Sequence, residues 1–140
     1  MTMITRRIDR ISQARSFVNA KQPFTNKQGN VYGCWMPSYN NDGASVYAVF
    51  SYGEHYPMYI WDPAISMWFG NKDNYSRTTA RHLKSSLPTQ DIPAHNWLDT
   101  RQLKGIIYHG GLNRWLIDQE HARTQLASAK STTLGDLLSP

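Results

Sequence analysis

The N-terminal segment shows apolar residues at helical spacing. They recur at intervals of three, four or seven positions, as on one face of a helix: Ile4, Ile8, Ile11, Ala14 and Val18. The residue before Pro23 is disfavoured in helical geometry, so the helix should end before it. Residues 1–20 are therefore predicted to form a basic amphipathic N-terminal helix.

Residues 21–130 are predicted to form an α+β core. Strands are expected over 31–36 and 45–52, and the second is apolar on both faces, as a central strand covered on both sides would be. Strands over 58–61 and 66–69 should form a hairpin that turns at Asp62-Pro63. The fold class expected is a small antiparallel sheet of three or four strands with packed helices, in a single domain.

Three helices are expected in the second half of the chain. Ser76 can cap a helix over 77–86, because its hydroxyl can accept a bond from a first-turn amide. Further helices are expected over 100–108 and from about 112 to 129. Residues 131–140 are rich in small polar residues and are predicted to be a frayed tail.

The composition indicates a folded protein whose positive charge lies near the N-terminus. Apolar residues make up 40% of the 140 residues, enough to form a core. Residues 1–30 contain six Lys and Arg residues against one acid, Asp9, whereas the other 110 positions contain nine of each sign. This concentration of charge favours polyanionic partners, either nucleic acid or an acidic protein.

Several classes of protein are disfavoured. One cysteine, Cys34, cannot form an internal disulfide, and no apolar run has the length of a membrane span. A cytoplasmic location and no membrane partner are therefore expected. The spacing of the histidines does not fit a metal site, and no nucleotide-binding fingerprint is present, so no metal and no cofactor are expected.

The segment around Ser76 is a candidate anion-binding site. The first amides of a helix attract anions, and hydroxyls and cations lie beside them in the sequence: Ser76, Arg77, Thr78, Thr79, Arg81, His82 and Lys84. The alternative is that Ser76 and the threonines only cap the helix while His82 packs inward.

Two stretches carry a resemblance to a known family. One contains Ser51, Tyr52 and Gly53, and the other contains Tyr75, Ser76, Thr78, Thr79, Arg81 and His82. Together they resemble a small domain of bacteriophage and other mobile-element genomes with a Tyr-Ser-Tyr-Gly and a Tyr-Ser-x-Thr-Thr-x-Arg-His pattern. The similarity covers about half the chain. It implies a phage or mobile-element origin and does not imply a reaction.

The function expected is that of a phage accessory protein that binds nucleic acid, or a host protein that handles nucleic acid. Arg6, Arg7 and Arg10 on the basic helix would act with the helix start at Ser76. The strand aromatics are expected to be core, although an open aromatic face would stack bases.

Two alternatives remain open. One is a metal-independent phosphodiesterase or nuclease in which His55 and His82 act as acid and base, with Glu54 as a further candidate. The other is a homo-oligomer assembled through the Ile4, Ile8 and Ile11 stripe.

Overall fold

A seven-stranded mixed sheet forms the centre of the protein. The structure is a computed structural model that describes residues 4–73 and 76–138, with side chains up to residue 128. Its strands are β1 Arg6–Ile8, β2 Phe24–Asn26, β3 Val31–Pro37, β4 Ser45–Ser51, β5 Pro57–Asp62, β6 Met67–Asn71 and β7 Trp97–Leu98. They lie side by side in chain order. The pairs β1–β2 and β6–β7 are parallel, and the others are antiparallel.

The prediction of a small antiparallel sheet of three or four strands is therefore wrong. The four expected strands correspond to β3, β4, β5 and β6, and the sheet gains β1, β2 and β7 at its edges. These edge strands have only two or three residues each, too few for an alternating pattern to be visible in the sequence. The α+β class holds.

Helices cover both faces of the sheet. They are α1 Ala14–Asn19, α2 Arg77–Ser86, α3 Thr100–His109 and α4 Leu112–Leu138. On one face, Tyr47 and Val49 of β4 belong to a core cluster that also contains Val18 of α1 and has Leu83 of α2 packed against it. On the other face, the core of Val46, Ala48 and Phe50 packs against Leu103, Ile106 and Ile107 of α3. Because β4 alternates between these two cores, it is the covered central strand that its sequence predicts.

The predicted N-terminal helix is wrong over much of its length. Arg6–Ile8 forms β1, residues 11–13 form a 3-10 turn, and only Ala14–Asn19 is α-helical. The apolar stripe packs inward all the same, with Ile8, Ala14 and Val18 buried in the core. Pairing with β2 satisfies the backbone of β1, and the burial of Ile8 holds it there, so tertiary contacts override the helical pattern.

The stripe also cannot serve as predicted for assembly of a homo-oligomer. Ile8 is buried and Ile11 packs against the core of the same chain, so only Ile4 stays exposed.

The helices of the second half largely follow the prediction. The cap of α2 is confirmed, because the Thr79 amide donates to Ser76 Oγ at 3.1 Å. Helix α3 agrees within a residue, whereas α4 continues to Leu138, through most of the tail predicted to fray. Tyr75 lies outside the described residues. None of the helices in the described ranges has the length and hydropathy to cross a bilayer.

Candidate functional site

A serine–histidine pair lies where β4 ends beneath α2. Ser51 is the last residue of β4, and His82 lies on the inward face of α2 with Thr79 and Ser86. Ser51 Oγ and His82 Nδ1 are 2.8 Å apart, and both residues are buried. The two positions are 31 residues apart, and the packing of α2 on the sheet brings them together.

The surroundings of His82 favour its neutral form. Burial lowers the pKa of His82 below its usual value, and the nearby charge of Arg81 lowers the same pKa further. The ring of Tyr52 lies over the imidazole, with 5.5 Å between ring centroids. A neutral imidazole can accept a hydrogen bond from the Ser51 hydroxyl at Nδ1.

The backbone turns sharply directly after Ser51. Tyr52 has φ of 61°, which is uncommon for a residue with a side chain, and Gly53 follows with φ of 109°. The amides of Ser51 and Tyr52 donate to the carbonyls of Tyr56 and Asn30. These bonds hold the turn in a conformation that presents Tyr52 above His82.

Ser51 forms part of the wall of a cavity of about 440 Å³, here called the Ser51 cavity. Its wall comes from the end of β4 and the following loop, the start of α2 and the start of α3: Ser51, Tyr52, His55, Tyr56, Ser76, Thr79, Thr100 and Lys104. These side chains are rich in hydroxyl groups, and they include one lysine, Lys104, and one histidine, His55. The cavity therefore suits a polar or partly anionic ligand.

A hydrogen-bonded network fixes the α3 side of the cavity. The Asp73 carboxylate accepts from the Thr100 amide at 2.8 Å, and Asn71 Nδ2 donates to Thr100 Oγ1 at 3.0 Å. The bonds from Thr100 lower the pKa of Asp73. Asp99 caps the same helix by accepting from the Gln102 amide. Both carboxylates are therefore engaged at the first turn of α3.

A second, more apolar pocket of about 290 Å³ adjoins the Ser51 cavity, and Lys104 contributes to both walls. The second pocket is here called the apolar pocket. Its wall consists of Met36, Pro37, Tyr39, Phe50, Glu54, Lys104, Ile107 and Tyr108. Phe50 precedes Ser51 on β4, so the two spaces lie on either side of this strand end.

The candidate catalytic residues Glu54, His55 and His82 occupy different places. His55 is exposed at the Ser51 cavity, and its ring packs against Gly53. His82 lies behind Ser51. Glu54 belongs to the wall of the apolar pocket. The pKa of Tyr32 is raised to about 12, mainly by burial and further by the nearby charge of Glu54.

The candidate anion-binding residues of α2 separate onto two faces. Thr79 and His82 face inward, whereas the others are exposed: Ser76, Arg77, Thr78, Arg81 and Lys84. The hydroxyl of Ser76 accepts a hydrogen bond from the Thr79 amide and donates one to Thr79 Oγ1. Arg77, Arg81 and Lys84 are spaced four and three apart, so they form one outward stripe.

The N-terminal cations lie beside this stripe. The 3-10 turn and α1 pack against α2, and the Arg15 guanidinium donates to the carbonyls of Lys84 and Leu87. We define the basic surface as Arg10, Arg15, Arg77, Arg81 and Lys84. Arg6 and Arg7 are exposed on the edge strand β1, which precedes the 3-10 turn.

The basic surface has little opposing charge. Helices α1 and α2 contain no Asp or Glu. The ion pairs found within the described ranges lie elsewhere, at Asp42–Arg114, His109–Asp118 and Glu120–Arg123. Among the described residues, Arg77, Arg81 and Lys84 of this surface therefore have no ion-pair partner and face outward, whereas Arg15 is held by two backbone carbonyls.

The aromatic strand residues belong mainly to the core. Tyr59 and Trp68 are each 2% exposed beneath the face that α1 and α2 cover, and Trp61 packs against the same cluster. Lys21 Nζ lies 4.1 Å from the centroid of the Trp61 ring. This arrangement leaves no open row of rings for stacking bases on that described part of the sheet.

The fold defines an α+β protein with a mixed sheet covered by helices on both faces. Comparison with protein-family models, curated proteins and solved structures found no match. Within the described ranges, no group of three or more metal-binding side chains comes together.

Sequence reasoning missed three residues of the site. Ser51 stands out in the sequence only as part of a motif, and its bond to His82 depends on packing across 31 positions. Thr100 and Lys104 reach the cavity from α3, which carries no motif to mark them. The polar residue at the end of a buried apolar strand was the one available signal, since strand ends often carry functional groups.

Proposed function

We propose that this protein binds nucleic acid through the phosphate backbone, using the basic surface. The observation that carries the proposal is the stripe of Arg77, Arg81 and Lys84 on an acid-free helix. Phosphate contacts by Lys and Arg release condensed counterions, and this release drives sequence-independent binding. Arg6 and Arg7 on the edge strand would extend the contact along the backbone.

The position of the arginines fits this role better than a free basic helix would. Arg10 precedes a turn that packs against α2, and Arg15 is bonded to the last carbonyls of α2. The two groups of cations are therefore held on one side of the sheet by the fold. A preorganised set of cations loses less conformational entropy on binding than a flexible tail would.

The biological setting proposed is that of a phage or mobile-element accessory protein. This part rests on the resemblance of Ser51-Tyr52-Gly53 and of the segment from Ser76 to His82. An acidic host protein is the other partner that the same charges would attract. A nucleic acid is favoured because the exposed side chains are cations spaced along a helix, a pattern suited to successive phosphates.

The test is fluorescence anisotropy with labelled duplex DNA and with single-stranded RNA at several salt concentrations. We expect Arg77→Gln/Arg81→Gln/Lys84→Gln to weaken binding roughly tenfold or more and to reduce the slope of log affinity against log salt by about 2 to 3. The slope changes because each lost phosphate contact removes about 0.9 from it.

The control removes the same charge from other elements. Lys27→Gln/Arg101→Gln/Arg123→Gln neutralises three exposed cations outside the basic surface. We expect it to retain most of the affinity. Equal losses in the two triple variants would show that only net charge matters, and no measurable binding to either nucleic acid would refute the proposal.

A further inference from the structure

We propose that Ser51 is the nucleophile of a hydrolase site for carboxylic esters, with His82 as its general base. The proposal is independent of the nucleic-acid proposal, since it uses the inward face of α2 and the Ser51 cavity. Ser51 Oγ and His82 Nδ1 are 2.8 Å apart, a distance at which a proton can pass between them. A nucleophile and a base at hydrogen-bond distance beside a cavity are the two groups that start covalent catalysis.

The environment of the pair keeps the base ready to accept a proton. Burial lowers the pKa of His82 and so favours its neutral form. In the tautomer that carries its proton on Nε2, Nδ1 accepts the hydrogen bond from the Ser51 hydroxyl. The ring of Tyr52 packs against the imidazole, with 5.5 Å between ring centroids. A serine hydroxyl needs such a base, because by itself it is a weak nucleophile.

The cavity also has groups that stabilise negative charge. Lys104 and His55 belong to its wall, and Ser76 and Thr79 place the positive end of α2 at the same space. The two carboxylates nearest the start of α3, Asp73 and Asp99, are occupied by backbone amides. The oxyanion that develops when a carbonyl is attacked would therefore lie among donors and cations.

The apolar pocket indicates the class of acyl group. Phe50, next to Ser51 in the chain, contributes to this pocket together with Met36, Tyr39 and Ile107. Lys104 stands between the two spaces. Because Lys104 belongs to both walls, a substrate whose carbonyl carbon meets Ser51 could extend an apolar acyl chain past Lys104, around the end of β4, into the apolar pocket. Its polar alcohol portion would occupy the Ser51 cavity.

The reaction balances with water as the only co-substrate. Ser51 Oγ bonds to the ester carbonyl carbon while its proton passes to His82 Nδ1, and the carbon–oxygen bond to the alcohol then breaks as His82 returns that proton to the leaving oxygen. Water next attacks the acyl-serine and gives its proton to His82. The bond to Ser51 breaks, Ser51 regains the proton, and the carboxylic acid leaves.

The first test uses probes that react with activated serines and needs no knowledge of the natural substrate. The intact protein is incubated with an alkyl fluorophosphonate and, separately, with phenylmethylsulfonyl fluoride, and adducts are located by peptide mass spectrometry. We expect one adduct per chain, on Ser51. We also expect labelling to be about 100-fold slower in His82→Gln, a loss within the range typical of general-base catalysis.

Matched variants separate chemistry from folding. Ser12→Ala changes an exposed serine of the 3-10 turn and should be labelled at the wild-type rate. Ser51→Ala should lose the adduct, and Ser51→Cys, which keeps a similar volume, should lose it while becoming alkylated by iodoacetamide. The absence of any adduct on the wild-type protein, or an adduct on a residue other than Ser51, would overturn the proposal.

A second measurement tests the acyl preference. Hydrolysis of 4-nitrophenyl acetate, butyrate and hexanoate should show kcat/KM rising with chain length in the wild type. Tyr39→Ala removes an exposed ring from the apolar pocket and should flatten this trend. A wild-type rate that Ser51→Ala does not reduce would contradict the proposal. DNA affinity should be the same in Ser51→Ala and the wild type, so failure of one proposal would be distinguishable from failure of the other.

Discussion

His82 is buried against Ser51, and the fold stabilises the neutral form of its side chain. Because its pKa in the folded protein is below the usual value near 6.5, the unfolded chain binds the proton more readily. Stability from this residue is therefore fully present above about pH 6.5 and is lost as the pH falls through the lower folded-state pKa. We expect the free energy of unfolding to decrease between pH 7 and pH 5, as measured by urea denaturation.

Two variants separate the contribution of His82 to this pH dependence from those of the other titrating groups. His82→Gln should remove much of this decrease, because glutamine does not titrate. Arg81→Gln should raise the folded-state pKa of His82, since the positive charge of Arg81 opposes protonation. The latter shift is measurable by NMR titration of the imidazole. A wild-type stability that is flat over this range, with His82→Gln behaving identically, would contradict the assignment.

The central elements of the fold were predictable because their sequence patterns are long. Strand β4 is buried on both faces, so its sequence is a run of mostly apolar residues. Helix α2 is marked in the sequence by the capping serine that precedes it. The short strand β7 has no such pattern. Its pairing with β6 depends on Trp97 packing against Gly70, a contact between distant segments.

The candidate site was predictable only in part, because some of its contacts join segments that are distant in the sequence. The segment from Ser76 to His82 marks its own helix start, and its inward and outward faces follow from helical spacing. The partner of His82, in contrast, is set by how α2 lies on the sheet. The sequence suggested pairing His82 with His55, whereas the bond in the structure is to Ser51.

Gly33 tests the packing between strands β2, β3 and β4. A Cβ at this position would lie 2.4 Å from Tyr47 Oη and 2.6 Å from a ring carbon of Phe24. Both rings are fully buried, and Tyr47 donates to the Gln22 carbonyl at 2.7 Å. Since neither ring has space to move, we expect Gly33→Ala to lower the free energy of unfolding by about 1 to 3 kcal/mol.

A double-mutant cycle shows whether the hydroxyl of Tyr47 is responsible. Tyr47→Phe alone should cost about 1 kcal/mol through its lost hydrogen bond. In the Gly33→Ala background the same change should cost less, because it also removes the closest clashing atom. Additive losses in denaturation experiments would mean that the strain lies at Phe24 instead.

At the scale of the whole molecule, both proposed activities depend on helix α2, on opposite sides of it. Helices α1 and α2 cover one face and carry the basic surface outward, while the inward side of α2 reaches Ser51. Helix α3 covers the other face, with the first turn of α4 packed against the same core, and the start of α3 closes the Ser51 cavity. Helix α2 is thus shared by both proposed activities, with separate side chains for each.

This division predicts how a nucleic acid should affect global stability. A ligand that binds only the folded state at 100 times its Kd raises the free energy of unfolding by about 2.7 kcal/mol. We expect saturating duplex DNA to stabilise the wild type and Ser51→Ala by similar amounts in denaturation experiments at low salt. The variant Arg77→Gln/Arg81→Gln/Lys84→Gln should gain much less at the same DNA concentration, because its Kd is higher. Equal stabilisation of all three proteins would mean that the phosphates contact some other part of the molecule, and the charge stripe of α2 would lose its assigned role.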